Sequence, residues 1–170
     1  MNRLAYVGLI VPLCAVALLA EDDEHTRPSL SGLQAVQVVV EAFSASSQPL
    51  LEARGLTVNA IRTDAELRLR KAGIRVITRE ERLKTPGAPY LYLNAIITTG
   101  SSLWGNSIAV SLVQDVSLGR DSSIQFQTET WSVKSGGGII SPERIAQTVR
   151  NGFNDMVDQF INAYLSVNQR

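Results

Sequence analysis

Apolar residues follow two periods along the first half of the chain, and each period predicts a different element. Residues 33–43 (LQAVQVVVEAF) are rich in valine and apolar on both alternating faces, as in a strand that is covered on both sides. From Val58 to Ala72 the apolar residues recur every three or four positions, which predicts an amphipathic helix that ends at Gly73. Alternation returns in residues 74–78 (IRVIT), which predicts a second strand.

Three more strands are predicted in the second half of the chain, over residues 90–99, 107–119 and 124–133. The first of them places Tyr90 and Tyr92 on one face and aliphatic side chains on the other. In the second, Gln114 interrupts a row of inward-facing aliphatic residues. Because the connections between these strands are short, they are expected to form an antiparallel meander.

The last segment has the clearest helical period in the chain. The residues SPER predict a helix start with Ser141 as the N-cap and Pro142 at the first helical position. Apolar residues then recur at spacings of three and four from Ile145 to Tyr164. The stretch KSGGG before this helix is predicted to be a flexible hinge, and residues 80–89 a loop with a Pro-Gly turn.

The order of these elements is β-α-β-β-β-β-α, which predicts an α+β fold. We expect a mixed, largely antiparallel sheet of four or five strands with the two helices packed on one face. The first strand, the first helix and residues 74–78 are expected to form a right-handed parallel crossover. Two helices leave the other face of the sheet uncovered, and a partner is expected there.

The N-terminal segment stands outside this pattern. It places the amino terminus and Arg3 before an uncharged apolar run that stops at EDDEH, which is typical of a secretory signal peptide. Cleavage is expected after Ala20, with Ala15 and Ala17 marking the alternative, and an uncleaved anchor is disfavoured because Pro12 interrupts the run. The predicted organisation is a signal peptide at 1–20, a flexible leader at 21–31 and one α+β domain at 32–170, in a protein exported to the periplasm or secreted.

Cysteine and histidine are scarce, and this restricts the possible chemistry. Cys14 is the only cysteine, and Pro12 and Leu13 stand where a lipidation site needs a small residue, so no lipid anchor is expected at Cys14. The only histidine, His25, lies in the predicted leader. The usual nucleophilic triads and Cys/His zinc sites are therefore excluded from the predicted domain. We expect a non-enzymatic protein with no catalytic residue, metal or cofactor.

The charges are balanced, with 16 basic and 16 acidic residues, which argues against a nucleic-acid-binding protein. Most basic residues near the first helix are explained by its solvated face and by its C-terminal end. The alternative is that Arg68, Arg75 and Arg79 form a surface that contacts anionic lipid head groups or an acidic partner.

Aromatic and acidic residues supply the other candidate sites. Trp104 stands among Gly and Ser residues in a predicted loop, where it is either packed under the sheet or available to a partner. Tyr90, Tyr92 and Trp131 are predicted to share a half-exposed face, as a patch for a peptide, a glycan or a membrane-associated ligand. Asp115 and Glu129 are the one carboxylate pair that a hairpin is expected to bring together for acid/base chemistry.

The segments AELRLRKAGIRVIT, PYLYLNAI and VDQFINAYLSVN resemble exported bacterial proteins of uncharacterised function. The layout from Leu33 to Asn168 resembles the small α+β domains used in envelope assembly and docking, such as the amino-terminal domain of the Tol system's propeller protein. This resemblance implies a protein-binding role through an exposed sheet edge, and it carries over no functional residue.

We therefore interpret the chain as a non-enzymatic docking domain of the bacterial envelope whose partner is another envelope protein. Two alternatives remain open: a hydrolase that uses Asp115 and Glu129, and a carrier that holds a lipid or another apolar ligand between the helices and the sheet. The sequence leaves the oligomeric state undetermined.

Overall fold

The computed structural model describes residues 21–168, so the predicted signal peptide and Cys14 lie outside the described residues. The described chain has an α+β fold with a mixed, mostly antiparallel sheet, which confirms the predicted class. It begins with a 3₁₀ helix at Arg27–Leu30. The strands are β1 (Gln37–Val40), β2 (Tyr90–Thr98), β3 (Trp104–Leu118), β4 (Asp121–Lys134) and β5 (Gly138–Ile140). The helices are α1 (Gln48–Glu52), α2 (Val58–Lys71), α3 (Arg79–Arg82) and α4 (Ile145–Val167).

The strands are ordered β1-β2-β3-β4 across the sheet, and β5 pairs with the beginning of β3 beside β4. Strands β2, β3 and β4 form the predicted antiparallel meander. The parallel crossover joins β1 to β2 rather than to residues 74–78, which contribute only the bridge between Val36 and Val76. The capping box of Thr78 and Glu81 explains this difference, because it starts α3 and so ends the strand after one bridge.

The core lies between one face of the sheet and a layer formed by α2 and α4. Helix α2 ends as predicted, and Gly73 follows it with a φ of 80°, a conformation that glycine adopts at low cost. The rings of Trp131 and Phe160, both fully buried, meet edge to face with centroids 5.3 Å apart. Burying each such aromatic side chain contributes about 1.5–3 kcal/mol.

Helix α4 begins later than the sequence predicted, because its N-cap is Arg144 rather than Ser141. Residues 138–140, predicted to belong to a hinge and its flank, instead pair with β3 as β5. The chain must therefore turn away from the sheet before a helix can start. Residues 142–144 make that turn, and the backbone N–H of Arg144 donates to the carbonyl of Ser141 over 3.1 Å.

Residues 21–31 are folded against the domain, so their interpretation as a flexible leader was wrong. Leu30 is fully buried in the core, and Glu21 forms a parallel bridge with Ser132. The side chain of Asn168 donates to the carbonyl of Leu30 over 2.9 Å and accepts from the backbone of Gly32 over 2.8 Å. Long-range contacts of this kind hold a segment in place without any periodic pattern in its sequence.

Candidate functional site

The face of the sheet opposite α2 and α4 is called the open face here, because no helix layer covers it in the described chain. Tyr90 and Tyr92 lie on this face, as their alternation in the sequence predicted. Their ring centroids are 6.3 Å apart and the ring planes are nearly perpendicular. The Tyr92 hydroxyl donates to Glu41 over 2.5 Å, and this bond raises the pKa of Tyr92 to about 12.

Trp131 does not share this face with the tyrosines, so the predicted three-residue patch was wrong. Leu112 pairs with Trp131 and Val113 pairs with Glu129, which leaves Thr130 as an extra residue in β4. Such a bulge reverses the alternation of side chains. It therefore turns Trp131 from the open face into the core, where none of its surface is exposed.

Trp104 is also buried, which decides between its two interpretations in favour of packing. It is the first residue of β3, and its indole N–H donates to the carbonyl of Gly100 over 3.0 Å. The guanidinium of Arg54 lies 4.9 Å from the centroid of its ring. Both contacts are intramolecular, so this side chain offers a partner little surface.

The basic surface predicted from Arg68, Arg75 and Arg79 does not form. Arg68 lies between α2 and α4, where it donates to Asp158 over 2.7 Å and to Asn154 over 3.0 Å. Arg75 is paired with Glu81 over 3.0 Å. Of the three arginines, Arg79 lines a pocket on the open face.

That pocket has a volume of ≈ 360 Å³, and it is called the arginine–tyrosine pocket here. It is lined by Gln37, Val39, Arg79, Arg82, Tyr90, Tyr92 and Gln127. Arg82 was not a candidate from the sequence, because residues 80–89 were predicted to be a loop without a helix. The Thr-x-x-Glu spacing of residues 78–81 is the signal that identifies this helix start.

Asp115 and Glu129 do not face each other, because Asp115 pairs with Gln127 and Glu129 pairs with Val113. Partial burial alone would raise the pKa of Glu129, but hydrogen bonds from Ser111, Lys134 and Ser132 outweigh it and hold this pKa below its usual range. A general acid needs a raised pKa. The geometry and the charge state therefore both fail to support the hydrolase alternative.

The sheet has two outer edges, formed by β1 and β4, and residues Asp121–Glu129 of β4 are called the free edge here. The edge ends near Thr130, whose carbonyl accepts a hydrogen bond from the Ser29 hydroxyl over 3.2 Å. Phe126 pairs with Val116 on the side of the sheet that carries the helices and is 45% exposed, so the helix layer does not extend over it. Ile124, two residues earlier, is 44% exposed. No Lys, Arg or Pro lies within the free edge.

Comparison with known proteins identifies no family for this chain. No protein-family model matches the sequence, and no curated protein matches it. The solved structure of rare lipoprotein B from Shewanella oneidensis is similar over 76% of this chain and 94% of its own, with 14% identity and a TM-score of 0.31. This likeness assigns neither a family nor a function.

Two further properties concern the part of the chain that the structure describes. Within residues 21–168, no helix is long and apolar enough to cross a membrane. In the same residues, no three His, Cys, Asp or Glu side chains are grouped so that they are able to hold a metal ion.

Proposed function

We propose that this protein is an exported, non-enzymatic docking domain of the bacterial envelope that binds another protein at the free edge of β4. The observation that supports this most directly is the lack of lysine, proline and a covering segment along that edge in the described chain. Natural proteins commonly shield an edge strand with lysine, proline or a covering segment, because its unpaired N–H and C=O groups attract other strands. In the described chain, Asp121–Glu129 has no lysine, proline or covering segment, although its register against β3 shifts at residues 122–124.

The expected partner contributes an extended segment that pairs with β4 and lengthens the sheet. Main-chain hydrogen bonds would supply affinity, and alternate side chains would supply specificity. Ile124 and Phe126 lie on one side of the free edge and are nearly half exposed, so the partner's alternate residues on that side should be apolar. Further along β4, the chain's own Glu21 already pairs with Ser132 in the parallel direction.

The carrier alternative has less support than docking. The space between the helices and the sheet is filled by fully buried side chains, including Leu69, Leu91, Leu112 and Phe160. The gap between α2 and α4 has no room for a molecule the size of water. The groove of ≈ 340 Å³ between α2 and β1 is lined in part by the charged side chains of Arg62, Glu66 and Arg70, which do not suit an apolar ligand. Sites for drug-sized ligands usually occupy about 300–1,000 Å³.

Site-specific photo-cross-linking in the native envelope, followed by mass spectrometry, tests this function. A cross-linker at Gln125, in the middle of the free edge, should capture one protein reproducibly. The same group at Gln147, exposed on α4, is the matched control and should not capture that protein. In the purified complex, the backbone amides of residues 121–129 should become protected from hydrogen exchange.

Substitutions test whether the partner binds at the proposed edge or at another surface. Phe126→Lys should abolish capture from Gln125, whereas Leu67→Lys, at a comparably exposed position on α2, should preserve it. Equal capture from Gln147, or a complex that survives Phe126→Lys without protection of residues 121–129, would refute docking at this edge. A cross-linked species composed of two copies of this chain would show self-association instead and would also refute the proposal.

A further inference from the structure

The arginine–tyrosine pocket contains two guanidinium groups, and the two glutamates on the same short helix, Glu80 and Glu81, already have other partners. Glu81 accepts from the Thr78 backbone over 2.9 Å and from Arg75 over 3.0 Å. The pKa of Glu80 is lowered by hydrogen bonds from its own backbone and from Thr78, with a smaller contribution from the charge of Arg79. Neither Arg79 nor Arg82 forms an ion pair with a carboxylate in the described chain.

Arg82 is held in a defined position without having its charge neutralised. Its guanidinium lies 5.0 Å from the centroid of the Tyr90 ring, and one Nη donates to the carbonyl of Ala88 over 2.9 Å. Its Nε is buried and has no hydrogen-bond acceptor. A buried donor without an acceptor is costly, and unsatisfied groups of this kind are rare in native proteins. An oxyanion in the pocket would bring a compensating charge to this guanidinium.

The surroundings of the pocket favour one compact anion over an anionic membrane surface. Glu41, Asp115 and Glu129 lie on or beside the same face of the sheet, and they would repel a continuous layer of anionic head groups. Inside the pocket, the side-chain amides of Gln37 and Gln127 add neutral hydrogen-bond donors to the two arginines. Guanidinium and amide donors together suit a carboxylate.

Gln127 connects this pocket to the free edge. Its backbone belongs to Asp121–Glu129, while its side chain lines the pocket on the open face. A strand added to β4 would lie beside Gln127, about three strand spacings (~14 Å) from Tyr90 on β2. A partner segment that continues from that strand across the open face would bring an acidic side chain or a terminal carboxylate to the two arginines.

We propose that the arginine–tyrosine pocket binds a carboxylate of the docked peptide segment, with Arg79 and Arg82 as its charged partners. This inference rests on the proposed docking function and deepens it by naming an acidic residue as a requirement for the partner. Small probes test the pocket by itself, so that a pocket that binds no carboxylate is distinguishable from an edge that binds no partner.

NMR titration of the protein with N-acetyl-L-glutamate tests the pocket, with inorganic phosphate as a second probe and sodium chloride at equal ionic strength as the reference. The Nε–Hε signals of Arg79 and Arg82 should shift and saturate in the millimolar range. Arg82→Gln should weaken binding about tenfold, as expected for the loss of a charge-assisted contact. Arg144→Gln removes the same charge from an exposed position outside the pocket and should leave binding unchanged.

Absence of saturable shifts with N-acetyl-L-glutamate would overturn the proposal. Equal weakening in Arg82→Gln and Arg144→Gln would also overturn it, because that result indicates general charge screening. Tighter binding of phosphate than of the carboxylate would reject a peptide carboxylate as the ligand. Phe126→Lys should abolish capture of the partner but leave probe binding intact. Wild-type protein that binds the probe but captures no partner would retain the pocket and refute docking at the edge.

Discussion

Trp131 donates its indole N–H to the carboxylate of Asp22 over 2.9 Å, and this bond joins the first described turn to the centre of the core. Arg27 holds the same carboxylate through two further hydrogen bonds, of 2.7 and 3.0 Å. The turn that follows carries Leu30 into the core. Residues 21–31 thus stabilise the domain.

Asp22→Asn should lower the free energy of unfolding at pH 7 by about 1 kcal/mol, because it removes the charge from these hydrogen bonds. The Arg27 hydrogen bond is the main reason that the pKa of Asp22 is lowered, and the Trp131 bond adds to it. This stabilisation is complete above about pH 4, the ordinary pKa of an aspartate, and is lost as the pH falls through the lower folded-state pKa. Urea unfolding from pH 7 to pH 2 should therefore show the difference between wild type and variant shrinking with acidity.

Glu24→Gln is the control for this prediction, since Glu24 is exposed and, among residues 21–168, its only ion pair is a 3.7 Å contact with His25. It should change stability by less than about 0.5 kcal/mol. Equal stability of Asp22→Asn and wild type at pH 7 would show that the turn does not depend on this carboxylate.

Gly152→Ala should destabilise the protein, although alanine normally stabilises a helix interior by about 1 kcal/mol relative to glycine. Gly152 lies within α4 against β3, and an added Cβ would stand 2.2 Å from the Cδ1 atom of Ile108. Ile108→Val removes that atom, after which the nearest remaining contact is 3.7 Å. In the Ile108→Val background, the same glycine substitution should therefore become stabilising.

Chemical denaturation of the four proteins in this double-mutant cycle measures the coupling. Ile108→Val by itself should cost about 0.5–1.5 kcal/mol. If Gly152→Ala has the same effect in both backgrounds, the close approach of α4 to β3 at this point is not what requires glycine.

Glu41→Gln should bring the pKa of Tyr92 down from about 12 towards the usual value, because it removes the charge to which the hydroxyl donates. A tyrosine pKa that is raised in the folded state stabilises the protein fully below about pH 10, and this contribution disappears as the pH rises through the folded-state value. Wild type should therefore lose more stability than the variant between pH 10 and pH 12. Urea unfolding across this range measures the difference.

The titration of Tyr92 itself provides an independent check, through the NMR signal of its ring carbon bearing the hydroxyl. An unchanged titration in Glu41→Gln would mean that the hydrogen bond between Tyr92 and Glu41 does not form in solution. Glu52→Gln, at an exposed position on α1, serves as the charge-matched control.

Strongly periodic segments were predictable because the spacing of their apolar residues defines the face that packs against the core. The stripe that includes Ile61, Ala65 and Leu69 defined α2 nearly to the residue, and β2 was predicted to within one residue. The start of α4 was missed because a good capping sequence at Ser141 competed with the pairing of β5 against β3, and the pairing prevailed. A cap contributes about 1 kcal/mol, so a competing long-range contact readily overrides it.

The candidate site was less predictable than the fold, because it depends on which side of the sheet each residue occupies. One extra residue at Thr130 moved Trp131 into the core and ended the expected aromatic patch. Arg68 forms an ion pair with Asp158 on another helix and so does not contribute to the predicted basic surface. Arg82 entered the site because α3 carries it over Tyr90. The spacing of residues 78–81 signals the start of α3, but the contacts themselves join residues on different elements and leave no pattern in nearby residues.

By itself, the sequence determined the α+β class, the antiparallel meander and the helices that cover one face, since apolar periodicity records how each segment buries its surface. Tertiary structure alone decided the bulge in β4, the burial of both tryptophans and the meeting of Arg79 and Arg82 with the tyrosines. These features arise from contacts between residues far apart in the chain, and a register that shifts by one residue exchanges the core face of a strand for its exposed face.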